Sequence, residues 1–240
     1  MELIFLDTET TGNDLEKDRL CQICYKIKDK IVTKNFKPTV PISIKAMSVT
    51  NITNKMVENE EFFAGSQTCK DLGKLLKNNI LVAHNAKFDI AMLESEGLKT
   101  PNYICTLRLA RYLDEQQEIP EYNLQFLRYY YGVDLEVIAH SAEGDVLVLE
   151  EVFQHLYKLA QEKSKTDNHD EIIKGMLKVS SRPSLIKKFT FGKHIGCFVE
   201  EIAKEDKRYL EWFLKTKLEE GTDEDWIYTL KYYLGQLQLC

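Results

Sequence analysis

No apolar run in this sequence approaches the roughly 20 residues that a membrane-spanning helix needs. The N-terminus opens on Leu3-Ile4-Phe5-Leu6, the pattern of a core strand, in place of a basic leader, so the expected location is cytoplasmic with no membrane partner. Cysteine is sparse: six residues are scattered over 240, the usage of a reducing compartment and not of a disulfide scaffold. Cys21 and Cys24 form a C-x-x-C, but no second pair follows at zinc-ribbon spacing. An i, i+3 pair on a strand points to opposite faces, so both are expected to be core thiols. Positive charge is lacking too: the formal net charge of −6 excludes a uniformly basic nucleic-acid binder but not a local basic patch. What remains is an ordinary 44% apolar content and enough chain for a main domain of about 150 to 180 residues with a smaller appendage.

The pattern begins with strands. A short apolar run over 3–6 leads into Asp7 and Glu9 and then a Thr10-Thr11-Gly12 break, which predicts a buried strand and a tight turn. Segments 20–28 and 31–37 read as extended and complete an antiparallel meander that Pro38 and Pro41 end. Short helical pieces over 46–49 and 53–57 and a longer helix over 66–78 follow. Next come a buried strand over 80–83, a helix over 86–96 stopped by Gly97, and a short strand over 103–105. Helices over 106–113, 123–131 and 141–161 complete the main domain, the last with Ser141 as N-cap. Strands first, then strands alternating with helices, predict an α/β fold with a mixed five-stranded sheet flanked by helices.

The candidate chemistry lies in four acids and a histidine. Side chains alternate along a strand, so Asp7 and Glu9 leave one face close enough to share a divalent cation. Asp89 lies beside the apolar row of Phe88 and Met92, and Asp145 heads a stripe with Leu149, Val152, Leu156 and Leu159. Both acids therefore point inward. An unpaired buried carboxylate costs several kcal/mol, and either a bound cation or, for each acid taken singly, a helix cap or an arginine compensates it. His140 lies five residues before Asp145, at the same end of its helix, placed for a general base whose pKa is near neutrality. Oxygen donors with little cysteine favour Mg²⁺ or Mn²⁺ over zinc. Two such ions suit in-line phosphoryl transfer.

Asp7-Thr8-Glu9-Thr10-Thr11-Gly12, His84-Asn85-Ala86-Lys87-Phe88-Asp89 and His140-Ser141-Ala142-Glu143-Gly144-Asp145 resemble, in order, the three motifs of the DEDDh (DnaQ-like) 3′-to-5′ exonucleases. The resemblance implies an RNase H-like fold over residues 1 to about 160. It implies one ion held by Asp7, Glu9 and Asp145, a second held by Asp7 with Asp89 supporting it through water, and His140 as base. It also implies DNA contacts at Thr10, Leu15 and Asn85. Many relatives place an apolar wedge directly after the motif glycine, whereas here Asn13 and Asp14 precede Leu15; and Thr50 stands where many carry histidine.

The basic patch comes late. Lys174, Lys178, Arg182, Lys187, Lys188 and Lys193 fall between residues 172 and 196 with no acid among them, interleaved with Phe189 and Phe191. A solvated face is one reading of such a run. Contact with nucleic-acid backbone is the other, expected at Arg182, Lys187, Lys188 and Lys193. Arg182-Pro183-Ser184-Leu185, 189–196 and 206–212 resemble the C-terminal region of the bacterial exodeoxyribonuclease X group, which extends the likeness over nearly the whole chain. The expected organisation is a nuclease domain over 1–162, a polar linker over 163–171, and a small module over 172–240 built from a glycine-turned hairpin and helices from about 200 to 239. The expected function is metal-dependent 3′-to-5′ exodeoxyribonuclease action on DNA, on single strands or at duplex 3′ ends, in repair or recombination. The alternatives are an exoribonuclease trimming RNA 3′ ends and a DNA-end-binding or polymerase-associated module. A homodimer is implied by the resemblance alone.

Overall fold

In the computed structural model, which describes residues 1–135, 141–221 and 223–237, the first strand becomes the middle of a sheet. Among the described residues β1 (Leu3–Thr10), β2 (Leu20–Ile27) and β3 (Lys30–Asn35) form the antiparallel meander. Helices α1 (Ile44–Thr50), α2 (Asn54–Val57) and α3 (Gln67–Leu76) lead to β4 (Ile80–Ala83). Then come α4 (Lys87–Ser95), β5 (Tyr103–Cys105), α5 (Thr106–Leu113), α6 (Leu124–Tyr130), α7 (Ala142–Ser164) and α8 (His169–Ser180). The strand order is β3-β2-β1-β4-β5, with β4 parallel to β1 and β5 parallel to β4. No helix among the described residues is long and apolar enough to cross a membrane.

Both faces of the sheet are covered, which is why β1 reads as a continuous apolar run and not as an alternation. Ile4 and Leu6 pack with Leu72 and Leu76 of α3, while Phe5 shares a core with Leu149, Val152 and Phe153 of α7. Pleating therefore sends Asp7 and Glu9, which share Phe5's face, towards α7. Cys21 and Cys24 are both fully buried and belong to different cores, as opposite-facing thiols should. Ser141 caps α7 by accepting the Gly144 amide at 3.1 Å. That helix runs to Ser164, beyond the expected end at 161.

Two expectations about the C-terminal part need correction. Of the expected linker over 163–171 only 165–168 lies outside helices, because α7 ends at Ser164 and α8 starts at His169. The polarity of the stretch is capping chemistry: Asn168 accepts the amides of Asp170 and Glu171. One turn later Ile172, Ile173 and Met176 enter the same core as α7, so α8 belongs to the nuclease body and not to the module expected over 172–240. A separate core forms from Ile186, Phe189, Val199, Ile202, Leu210, Phe213, Trp226 and Leu230. Around it are α9 (Val199–Glu205), α10 (Lys207–Glu220) and α11 (Glu224–Tyr233). The expected hairpin is reduced to one antiparallel bridge, Lys188 to Phe198, because the intervening chain turns at Gly192 and Gly196, both in the left-handed region.

The module is tied to the body by polar contacts. Buried Arg108 of α5 meets Glu224 at 2.7 Å and Asp225 at 2.8 Å, and Arg111 meets Asp225 at 2.7 Å. The Gln117 side chain accepts the amide of Lys187 at 2.7 Å and donates to the Leu185 carbonyl at 3.1 Å.

Candidate active site

Asp7, Glu9 and Asp145 each offer a carboxylate oxygen, and the three atoms lie within 4.8 Å of one another. Strand alternation brings the first two, and the first turn of α7 brings the third. Asp89, in the first turn of α4, is buried beside them, and its Oδ1 accepts the Thr8 hydroxyl at 2.7 Å and the Thr8 amide at 3.1 Å. The four acids expected from the sequence are thus gathered at one end of the sheet. His140 lies outside the described residues.

Burial and mutual repulsion dominate the electrostatics of Asp7, Glu9 and Asp89. Burial, followed by the charges of Asp89, Glu9 and Asp145, raises the Asp7 carboxyl well above the usual range. Glu9 is pushed up to about 7 by burial and by Asp145 and Asp89. Burial pushes Asp89 up to about 7 as well, although the Thr8 hydrogen bonds oppose it. Converging hard oxygen donors whose charged forms are disfavoured together fit a divalent cation of the Mg²⁺ or Mn²⁺ type.

One contact has no sequence signal beyond a polar residue in a first turn. Gln125 of α6 donates through Nε2 to Asp145 Oδ1 at 2.5 Å, which fixes that carboxylate's rotation. Asn123 places it by capping α6 through the Phe126 amide at 2.8 Å. His84, at the start of the second motif, is half-buried and held near pKa 4 by desolvation, hence neutral at physiological pH. Its Nε2–H donates to the Tyr122 carbonyl at 2.8 Å, leaving Nδ1 to accept from Thr106 at 2.9 Å.

The residues expected to touch nucleic acid are placed as follows. The Thr10 hydroxyl is buried and donates to the Gly12 carbonyl at 2.6 Å, so it shapes the turn after β1. Leu15 is half-buried in a loop organised by Asp18, which accepts the Thr11 hydroxyl at 2.7 Å and the Asp14 amide at 2.8 Å. A Cβ at Gly12 would stand 2.4 Å from Asp18 Oδ2, so a side chain there would displace the carboxylate that organises this loop. Asn85 is exposed and left-handed (φ 61°) at the entrance to α4. Arg182 is exposed. Lys187 and Lys188 direct their amines to the carbonyls of Glu115 and Gln117, and Lys193 pairs with Asp206 at 2.8 Å.

Residues 4–153 match the family model described as Exonuclease. The chain belongs to the exonuclease family. Residues 189–216 match a second model, Exodeoxyribonuclease X-like C-terminal. The family member exodeoxyribonuclease 10 of Escherichia coli strain K12 is 27% identical over 242 residues, covering 97% of this chain and 98% of that one. The PolC-type DNA polymerase III of Caldanaerobacter subterraneus subsp. tengcongensis is 30% identical over 171 residues, covering 67% of this chain but only 12% of the polymerase. Exonuclease X in complex with 5′ overhanging duplex DNA superposes with a TM-score of 0.57 at 23% identity, covering 74% of this chain and 99% of that chain. E. coli exonuclease I in complex with a dA16 oligonucleotide gives 0.56 at 17% identity, covering 72% and 42%. The mixed five-stranded sheet flanked by helices is thus the RNase H-like fold of these exonucleases.

Proposed function

We propose that this protein is a divalent-metal-dependent 3′-to-5′ exodeoxyribonuclease that releases nucleoside 5′-monophosphates from DNA 3′ ends in repair or recombination. The observation that carries the reading is the convergence of Asp7, Glu9 and Asp145 within 4.8 Å, with Asp89 beside them. The likeness to exodeoxyribonuclease 10 over 97% of the chain supports DNA as the substrate. Asp7, Glu9 and Asp145 are the ligands for Mg²⁺ or Mn²⁺, and Asp89 stands in support. When bound, a pair of such ions supplies charge neutralisation for in-line displacement at phosphorus.

The protein's own groups do the rest. Gln125 holds Asp145 in a single orientation, and Thr8 holds Asp89. His140 takes the proton of the attacking water. Asn85, exposed at the entrance to α4, and Leu15, in the loop after β1, position the terminal nucleotide, with Thr10 keeping the turn that leads to Leu15 in shape. Arg182, with Lys174 and Lys178 exposed on α8, offers contacts to more distant phosphates.

Matched DNA and RNA oligonucleotides labelled at either end test the reading. Mononucleotides should leave the 3′ end of DNA in Mg²⁺ and none in chelator; faster cleavage of RNA, release from the 5′ end, or chelator-resistant cleavage overturns it. His140→Ala should lower the rate by about 100-fold or more while DNA binding changes little. A variant with the wild-type rate and pH profile would assign the base elsewhere.

A further inference from the structure

The nuclease body and the C-terminal module enclose a cleft of about 870 Å³ whose lining includes His84 and Asn85, the first two residues of the motif that carries Asp89. Its position follows from strand register. β1, β4 and β5 run parallel, with Phe5 level with Val82 and Ala83 level with Cys105. Asp7 lies two residues beyond Phe5 on β1, His84 and Asn85 directly follow the carboxyl end of β4, and Leu107 stands in the first turn of α5, directly after β5. Asn85 and Leu107 form part of the cleft lining, so the cleft opens along the same carboxyl edge of the sheet as the acids, displaced sideways across β4 and β5. That edge is where parallel sheets present ligands.

The lining selects the ligand. The charged groups in the cleft wall include Arg111 and Lys188, and both are engaged: Arg111 with Asp225, Lys188 with the Gln117 carbonyl and the Phe198 ring. Glu118 and Glu121 also line the wall, so a run of phosphates is disfavoured there. What the cleft offers is apolar surface, from Leu107, Ile119 and Ile195, beside neutral hydrogen-bonding groups such as Asn85 and Thr190. A concave apolar site with a few polar groups is suited to a flat neutral heterocycle. We propose that the cleft receives an unpaired nucleobase of the substrate strand, a few nucleotides from the 3′ end held at Asp7, Glu9 and Asp145, and that the C-terminal module exists to supply its second wall. The assignment rests on the nuclease reading above. A base must leave its stack to enter, so unpaired 3′ tails are the preferred substrate over blunt duplex.

Photocrosslinking locates the base. An Asp145→Asn protein, which retains substrate, is irradiated with single-stranded DNA carrying 5-iododeoxyuridine at one position, stepped back from the 3′ end. One position should crosslink to peptides from 117–123 or 189–196; crosslinks confined to other peptides at every position overturn the proposal. Ile195 is 66% exposed, so Ile195→Glu leaves the module's core intact. This variant, and Thr190→Trp, which narrows the cleft, should each raise KM for single strands about tenfold, the loss of roughly one base contact, with kcat retained. KM unchanged in both variants overturns the proposal, as does capture of a protein segment in the cleft with DNA crosslinks elsewhere. Wild-type hydrolysis of thymidine 5′-(p-nitrophenyl) phosphate, which is too short to reach the cleft, reports the metal site alone. Its absence together with absent oligonucleotide cleavage would sink the nuclease reading, whereas cleavage with crosslinks outside the cleft sinks only the cleft.

Discussion

Glu9 and Asp89 are both pushed up to about 7 from ordinary carboxyl values of 4.5 and 3.8, and Asp7 is raised with them. A raised folded-state pKa means that the native protein holds protons more tightly than the unfolded chain. The cluster's contribution to stability is therefore fully present below about pH 4, declines as pH rises, and is lost above about pH 7. Calorimetry of the metal-free protein should show melting temperature falling between about pH 5 and 8 by this contribution, and Mg²⁺ should restore most at the upper end because it binds only the folded site. Asp7→Asn and Asp145→Asn should lose turnover, melt above the metal-free wild type, and flatten the pH dependence. Near wild-type rates for either variant in saturating Mg²⁺, or metal-free melting that rises with pH, would refute the metal assignment. Gln125 belongs to the same scale. Loss of its bond to Asp145 in Gln125→Ala should cost about 10- to 100-fold in activity and raise the Mg²⁺ concentration for half-maximal rate, with KM for DNA unchanged. An unchanged Mg²⁺ titration would make it structural only. Helical phase was enough to aim Asp89 and Asp145 inward, whereas Gln125 depends on the register of α6 against α7, which no local pattern encodes.

The elements with one strong period were legible: β1 by its buried run, α7 by its apolar stripe, α4 by the glycine that stops it. Where local polarity and tertiary packing disagree, packing prevailed. The polar stretch after Ser164 looks like a linker, yet Asn168 caps α8 and Ile172, Ile173 and Met176 bury against α7. The hairpin failed for the opposite reason, since the two glycines that signal it consume the chain in turns and leave a single bridge. How α11 attaches was not legible either, because Asp225 reads as a solvated first-turn acid. In the structure it is buried between Arg108 and Arg111 and accepts the Ser184 amide at 3.0 Å. Asp225→Ala leaves the buried Arg108 with the exposed Glu224 as its one ion partner among the described residues. Removing one side of a buried pair costs about 3–5 kcal/mol. Limited trypsin digestion should then cut within 182–237 much faster than in wild type, while the body up to α8 survives. Equal digestion patterns would show that the apolar contacts of the module suffice.

For the whole molecule, a net charge of −6 must be reconciled with a polyanionic substrate. The cations of the 172–196 segment divide into two sets. Lys187, Lys188 and Lys193 are engaged within the fold, while Lys174, Lys178 and Arg182 are exposed on α8 and just beyond it. Only cations able to replace counterions around phosphates contribute to the salt dependence of binding, each by about 0.9 in the slope of log K against log salt on duplex and about 0.7 on single strands. Neutralising Lys174, Lys178 and Arg182 together should therefore flatten the slope, weaken binding across all sequences, and leave turnover at saturating DNA intact, because the acids lie before residue 146. Lys187→Met with Lys188→Met should do the reverse, loosening the module's attachment at residues 115–117 with little change in slope. A slope that responds to the second pair and not to the first three would mean that these lysines exchange their carbonyl partners for phosphate when DNA arrives. The module would then have to move against the body, and the cleft between them would change shape on binding.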